Sequence, residues 1–269
     1  MQSNYVIEGG KQGKERLNVL SNALEQYTLS LLQKCGVAVG NSFLDCGCGG
    51  GNVSIMAARL VGNTGKVKGI DADSSIIQLA KQDAQALQLT NITFEAISID
   101  DIMYQEIFDT VYARFLLSHL NNPLIALQKM IAAAKPNGKI IVEEIQFSGH
   151  FCYPYNAAFY TYLELYAAVV KKKNGNAELG IEMPSLFAKT SLTNIDFDII
   201  QPAFNNASGK WMAYITLDKI KAAIIAENIA SDIEVENLLK ELKTFTEDTT
   251  TMISLPRIFR VWGTKNHET

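Results

Sequence analysis

Short apolar runs alternate with longer stretches of helical periodicity through the first half of the chain. The alternation predicts strands at residues 42–46, 66–71, 92–97, 109–113 and 138–143, with helices over 53–60, 75–89 and 123–134 between them. Strands joined by helices in this way form a parallel sheet covered on both faces. The last of these helices meets Lys135-Pro136-Asn137-Gly138, where proline ends the helix and glycine permits a reversal before the next strand. An amphipathic helix is expected over residues 15–34. The segment ahead of it, residues 5–13, carries Gly9, Gly10 and Gly13 and reads either as a frayed tail or as a flap over a site.

After Glu144 the alternation breaks. Residues 148–193 hold helical segments in which Phe151, Tyr153, Tyr155, Phe159, Tyr160, Tyr162 and Tyr166 fall within 16 residues. These rings suit the lining of an apolar chamber or the packing of a helix core. Strands at 197–202 and 257–263 follow, separated by helices over 217–228 and 233–246, and they bring the expected strand count to seven. The chain therefore reads as one domain, 1–269, with an N-terminal flap and helix over 1–40 and a helical insertion over 148–193.

Composition narrows the classes. A hydrophobic content of 48% over 269 residues supports a sizeable core. Lysine and arginine total 24 against 28 acids, and a net charge of -4 gives no electrostatic footprint for nucleic acid. The one basic run, Lys171-Lys172-Lys173, ends a helical segment before Asn174-Gly175, where cations favour a helix C-terminus. No stretch approaches the roughly 20 apolar residues of a membrane span, and the N-terminus lacks the order of a signal peptide. A soluble, cytoplasmic protein is expected. Cys35, Cys46, Cys48 and Cys152 show no paired metal-ligand spacing, so they read as free thiols and no metal is expected.

The densest chemical signal is Phe43-Leu44-Asp45-Cys46-Gly47-Cys48-Gly49-Gly50-Gly51. A strand ends in an acid and opens into a glycine turn ahead of a helix, where missing Cβ atoms permit positive φ and close approach of a ligand to the backbone. A dinucleotide fingerprint wants its third glycine at the sixth position of the turn. Counted from Gly47, that position is Asn52. Asp71 ends the second apolar run 20 residues after Gly51, about where an acid would grip ribose hydroxyls. It also suits a helix cap, a role open to Ser74 and Ser75.

The spacing Asp45-x-Gly47-x-Gly49-x-Gly51 resembles motif I of the class I S-adenosylmethionine (SAM) methyltransferases. Pro136-Asn137-Gly138 is similar to the turn before that family's fifth strand. The resemblance covers residues 43–144 and, loosely, the remainder. It implies an α/β fold, doubly wound and Rossmann-like, with a seven-stranded mostly parallel sheet and a helical insertion after the fifth strand, residues 148–193, that serves as a substrate lid. It also implies methyl transfer from SAM to an oxygen, nitrogen or carbon of a small organic acceptor, with S-adenosylhomocysteine as product. The alternatives are an NAD(P)-dependent oxidoreductase on a related fold, a non-catalytic SAM-binding module, or methylation of protein or RNA. Expected partners are a small-molecule acceptor and, where the chain self-associates, a second copy in a homodimer. Nucleic acid and membrane are not expected.

Carried onto this sequence, the resemblance places Asp71 and Ala72 at the ribose, Asp45 near the methionine amino group, and Gly47, Gly49 and Gly51 along the methionine and ribose. The backbone of Ala113 and Arg114, at the end of the fourth strand, would meet the cofactor's amino group. Ser98 stands where the family often has an aspartate for the adenine, with Ile99 against the ring, and Asp100 or Asp101 offers a substitute acid. The segment after Ala113 lacks the Asn/Asp-Pro-Pro-Tyr/Phe signature of adenine and glutamine methyltransferases. Methyl transfer is an in-line displacement that needs alignment and exclusion of water more than a nucleophilic residue. Candidate bases for a protonated acceptor are His119, His150 and Glu144. Glu143 and Glu144 point to opposite faces of one strand, so at most one is expected at the site.

Overall fold

The computed structural model describes residues 10–266, with side chains from residue 13 onward. Of the segment 5–13 expected as a tail or flap, residues 5–9 lie outside the described residues and the rest is helical. Helix α1, Gly10–Lys34, starts earlier than periodicity predicts and runs through Gly10 and Gly13. Its stripe of Leu20, Leu24, Thr28, Leu31 and Leu32 is buried, and such packing outweighs the cost of about 1 kcal/mol per helical glycine.

The central sheet contains β1 (Ser42–Cys46), β2 (Lys66–Asp71), β3 (Ile92–Ala96), β4 (Phe108–Arg114), β5 (Ala134–Gln146), β7 (Leu192–Ile200) and β10 (Arg257–Lys265). Their order is β3-β2-β1-β4-β5-β10-β7, with β10 antiparallel to both neighbours. β1 pairs in parallel with both β2 and β4, so the strand order reverses direction there and a crevice opens beyond their carboxyl ends. Between these strands run α2 (Asn52–Val61), α3 (Ser74–Ala86) and α4 (Pro123–Ala133). The expected turn at Lys135–Gly138 is instead a bulge within β5. Phe108 pairs with Ala134 but Thr110 pairs with Lys139, and Asn137 absorbs the extra residues at φ 64°.

The insertion and the C-terminal half add β6 (Cys152–Tyr153), α5 (Ala157–Lys172), α6 (Met183–Ala188), β8 (Ala203–Phe204), α7 (Met212–Ala226), α8 (Asp232–Glu247) and β9 (Met252–Ser254). β6, β9 and β8 form a small second sheet whose strands are too short to show a period-2 pattern in sequence. Faces of α5, α7 and α8 share one core with Leu20 and Leu24 of α1. That core sits beside the crevice, so α1 and the insertion enclose it. No helix among the described residues is long and apolar enough to cross a membrane.

Candidate active site

A single cavity of about 1340 Å³ extends from the carboxyl ends of β1, β2 and β3 to the helices of the insertion. Its floor is the glycine turn from Gly47 to Gly50; Gly51, expected along the cofactor, does not line it, because its α-carbon faces the core at Phe94 and Ala80. Gly47, Gly49 and Gly51 all have positive φ, at 67°, 50° and 80°. A Cβ on Gly49 would lie 2.9 Å from Leu17 Cδ1 of α1, so a side chain there meets both a strained backbone and a closed roof. α1 is fastened over the turn by Lys14 Nζ to Asp83 at 2.6 Å and by Asn52 Nδ2 donating to Asn18 Oδ1 at 3.0 Å.

Asp71 joins two turns. Gly49 N–H donates to Oδ2 and Asp73 N–H to Oδ1, each at 2.9 Å. A carboxylate offers about four acceptor sites, so the two left over suit a vicinal diol. Burial raises the Asp71 pKa, and these backbone N–H groups oppose the rise. The cap of α3 is Asp73, which accepts from Ser75 N and Ile76 N, so neither Ser74, Ser75 nor Asp71 fills that role. Asp45 is buried and accepts from Ser54 Oγ at 2.6 Å. Burial pushes its pKa up to about 7, against the Ser54 bond and the Arg114 charge. A cation bound at Asp45 would reverse that shift.

Ala72, Ser98, Ile99, Asp100 and Asp101 line the far end of the cavity. Ser98 Oγ accepts from Asp100 N at 3.2 Å, which leaves its O–H free to donate. Arg114 lines the cavity and donates from Nη1 to Thr28 Oγ1 at 3.1 Å, whereas Ala113 is buried inside the sheet and does not line it. Beyond Arg114 the chain turns sharply at Phe115, φ 55°, a costly conformation for a bulky residue and one that concentrates at functional sites. These residues fit the parts of SAM: a diol on Asp71, an ammonium on Asp45, a glycine backbone without side chains, and Ile99 for a ring.

His119 and His150 line the other end of the cavity; Glu144 does not. Glu144 is buried and accepts from Leu117 N at 2.6 Å and Ser118 N at 3.2 Å, so it holds the turn that carries His119. Burial raises its pKa to about 7. Glu143 also stays off the cavity, its Oε1 accepting from Thr28 Oγ1 at 2.9 Å and Tyr112 OH at 2.5 Å. At most one of the pair was expected at the site, and neither lines it: both carboxylates hold neighbouring elements in place, so Glu144 is not placed as a base. Burial lowers both histidines to a pKa of about 4, with the charge of Arg16 adding to the effect at His119. Both rings are neutral at pH 7. His150 Nδ1 lies 2.7 Å from Phe147 O and must donate to it, which leaves Nε2 as an acceptor.

Of the seven aromatic residues singled out in the insertion, Tyr162 and Tyr166 line the cavity. Phe159 is core, while Phe151, Tyr153 and Tyr155 are exposed. Phe147 joins the lining and stacks on Tyr166 at 3.9 Å. Met212, Thr216, Leu255 and Pro256 complete the wall from distant parts of the chain without any local sequence signal. Arg16 also lines it, and here a signal existed: a charge on the apolar stripe of an amphipathic helix. Among the described residues no group of three histidine, cysteine or acidic side chains is placed to hold a metal.

Known proteins resemble this chain in sequence and in fold. The chain is 31% identical over 142 residues to a demethylmenaquinone methyltransferase of Oceanobacillus iheyensis, covering 52% of this chain and 59% of that protein. It is 29% identical over 133 residues to a 2-phytyl-1,4-naphtoquinone methyltransferase of Nostoc, covering 49% and 56%. The matches thus span less than two thirds of those relatives. A SAM-dependent methyltransferase from Aquifex aeolicus shares the fold at a TM-score of 0.51 and 14% identity, over 88% of each chain. Residues 38–180 match the family described as a methyltransferase domain, more than half of the sequence, and the chain belongs to that family.

Proposed function

We propose that this chain transfers a methyl group from SAM to a small organic acceptor. The observation that carries the reading is the continuity of the cavity: the Asp45–glycine turn–Asp71 cradle and the aromatic chamber are one space. Its volume of about 1340 Å³ exceeds the ~300–1,000 Å³ usual for one small ligand, so two fit side by side. SAM supplies an electrophilic methyl on a sulfonium whose positive charge is lost in the transfer.

The chain's own residues align and shield. Asp71 holds the ribose hydroxyls, Asp45 the ammonium, and Ser98 and Ile99 the adenine. Phe147, Tyr162 and Tyr166 hold the acceptor's body and keep water out. The His150 Nε2 accepts a hydrogen bond from the attacking atom and orients it. With a pKa of about 4 it is a weak base, so the reading favours an acceptor whose nucleophilic atom needs little deprotonation. The N-terminal half of α1 and the segment 148–193 act as the lid, and α1 must lift to admit ligands.

The relatives named above act on quinones, but the family match ends at residue 180. Met212, Thr216, Leu255 and Pro256 lie beyond it, so that part of the cavity wall falls outside the family match. Titration with S-adenosylhomocysteine tests the reading, and micromolar binding is expected. Absence of binding at millimolar ligand would refute it.

A further inference from the structure

One cation in the acceptor half of the cavity is only partly satisfied. Arg16 is 9% exposed, and its Nε donates to Thr216 Oγ1 at 3.1 Å. The Tyr162 hydroxyl lies close by on the same wall, near enough to Arg16 and Thr216 for both to act on its titration. A guanidinium has five N–H donors, and those on the two terminal nitrogens meet no acceptor among the described residues. No carboxylate forms an ion pair with Arg16 among them either, although the chain carries more acids than bases. A buried charge without a counter-ion is costly, and its planar fork matches two oxygens of a carboxylate or phosphate.

The charge acts on the acceptor side. Arg16 perturbs His119 and Tyr162, whereas the cation that perturbs Asp45, at the cofactor cradle, is Arg114. Thr216 and Tyr162 belong to α7 and α5, away from the strand ends that hold the cradle. Next to this cation stands the flat apolar wall of Phe147 stacked on Tyr166.

We propose that Arg16, anchored by Thr216, is an oxyanion receptor in the acceptor chamber, and that the methyl acceptor is a flat apolar molecule carrying a carboxylate or phosphate. The inference rests on the methyl-transfer reading for the word acceptor, but the subsite itself is testable without it. Benzoate, phenyl phosphate and neutral benzamide are titrated into the protein by calorimetry, with and without saturating S-adenosylhomocysteine.

Benzoate or phenyl phosphate should bind at least about tenfold tighter than benzamide, the loss expected for one charge-assisted hydrogen bond. The better anion identifies carboxylate or phosphate. Arg16→Met should abolish the preference and leave S-adenosylhomocysteine affinity within about twofold. Arg16→Lys should recover part of it, which packing alone would not. Equal binding of benzoate and benzamide would overturn the proposal. So would an Arg16→Met variant that loses S-adenosylhomocysteine but keeps 5′-methylthioadenosine, since the guanidinium would then serve the cofactor's carboxylate. Anion preference retained in a protein that binds no S-adenosylhomocysteine would support the subsite and refute methyl transfer.

Discussion

Asp71→Ala is the sharpest test of the cofactor cradle. The substitution removes both oxygens, so the N–H groups of Gly49 and Asp73 lose their 2.9 Å partners and a bound ribose loses its two acceptors. Hydrogen bonds to a charged group contribute about 1.5–3 kcal/mol. At about 1.4 kcal/mol per tenfold, the dissociation constant for S-adenosylhomocysteine should rise about ten- to a hundredfold. Asp71 is only partly buried, so water reaches the orphaned N–H groups and the cost to folding stays near the low end, about 1–2 kcal/mol. Calorimetric titration reads the affinity and a thermal melt reads the fold. Because Asp71 also braces the glycine turn, a second ligand pair separates contact from support. Wild-type protein should prefer adenosine to 2′,3′-dideoxyadenosine, and the variant should not. Affinity within twofold of wild type, or a preference that survives the substitution, would refute the ribose assignment.

Three further outcomes are expected. Gly49→Ala places a Cβ at φ 50° and 2.9 Å from Leu17 Cδ1; it should cost about 1–2 kcal/mol in a melt from the left-handed backbone alone, and Leu17→Ala should not restore it. Asp45, at a pKa of about 7 when folded against 3.8 ordinarily, keeps a proton that the unfolded chain has lost, so its contribution to stability falls as pH rises from about 4 to 7. Binding an ammonium at Asp45 requires the charged form, so S-adenosylhomocysteine affinity should drop as pH falls below 7, and Asp45→Asn should flatten that profile; an unchanged slope in the variant would remove Asp45 from the cradle. Lys14→Met cuts the pair with partly exposed Asp83, worth about 0–1 kcal/mol; stopped-flow release of S-adenosylhomocysteine should quicken by a fewfold, and an unaltered rate would argue against α1 as the lid.

Most of the proposed cradle was legible in the sequence. Asp45, the three glycines and Asp71 announce themselves through spacing, because a strand-to-helix turn confines its chemistry to a few consecutive residues. The acceptor end was not legible in the same way. Tyr162 and Tyr166 stood out in an aromatic segment, yet nothing local distinguished them from Phe159, which is core, or Tyr155, which is exposed. Glu144 looked like a strand-end acid in the right place. Only the wrap of Leu117 and Ser118 onto its carboxylate showed that it holds a loop. The bulge at Lys135–Gly138 shows the same limit, since proline and glycine mark an irregularity whether the chain turns or bulges.

By itself the sequence determined the order of strands and helices, the strand-to-helix glycine turn and the acids that flank it, all of which rest on local spacing and backbone sterics. Tertiary structure decided which buried groups face the cavity and which brace it. Arg16 meets Thr216 across 200 residues, Thr28 meets Glu143 across 115, and the Phe151 backbone meets Ser254 across 103. Contacts at such separation leave no periodic trace along the chain, because they depend on how whole elements pack; the Arg16–Thr216 pair lines the cavity, and the other two brace the elements around it.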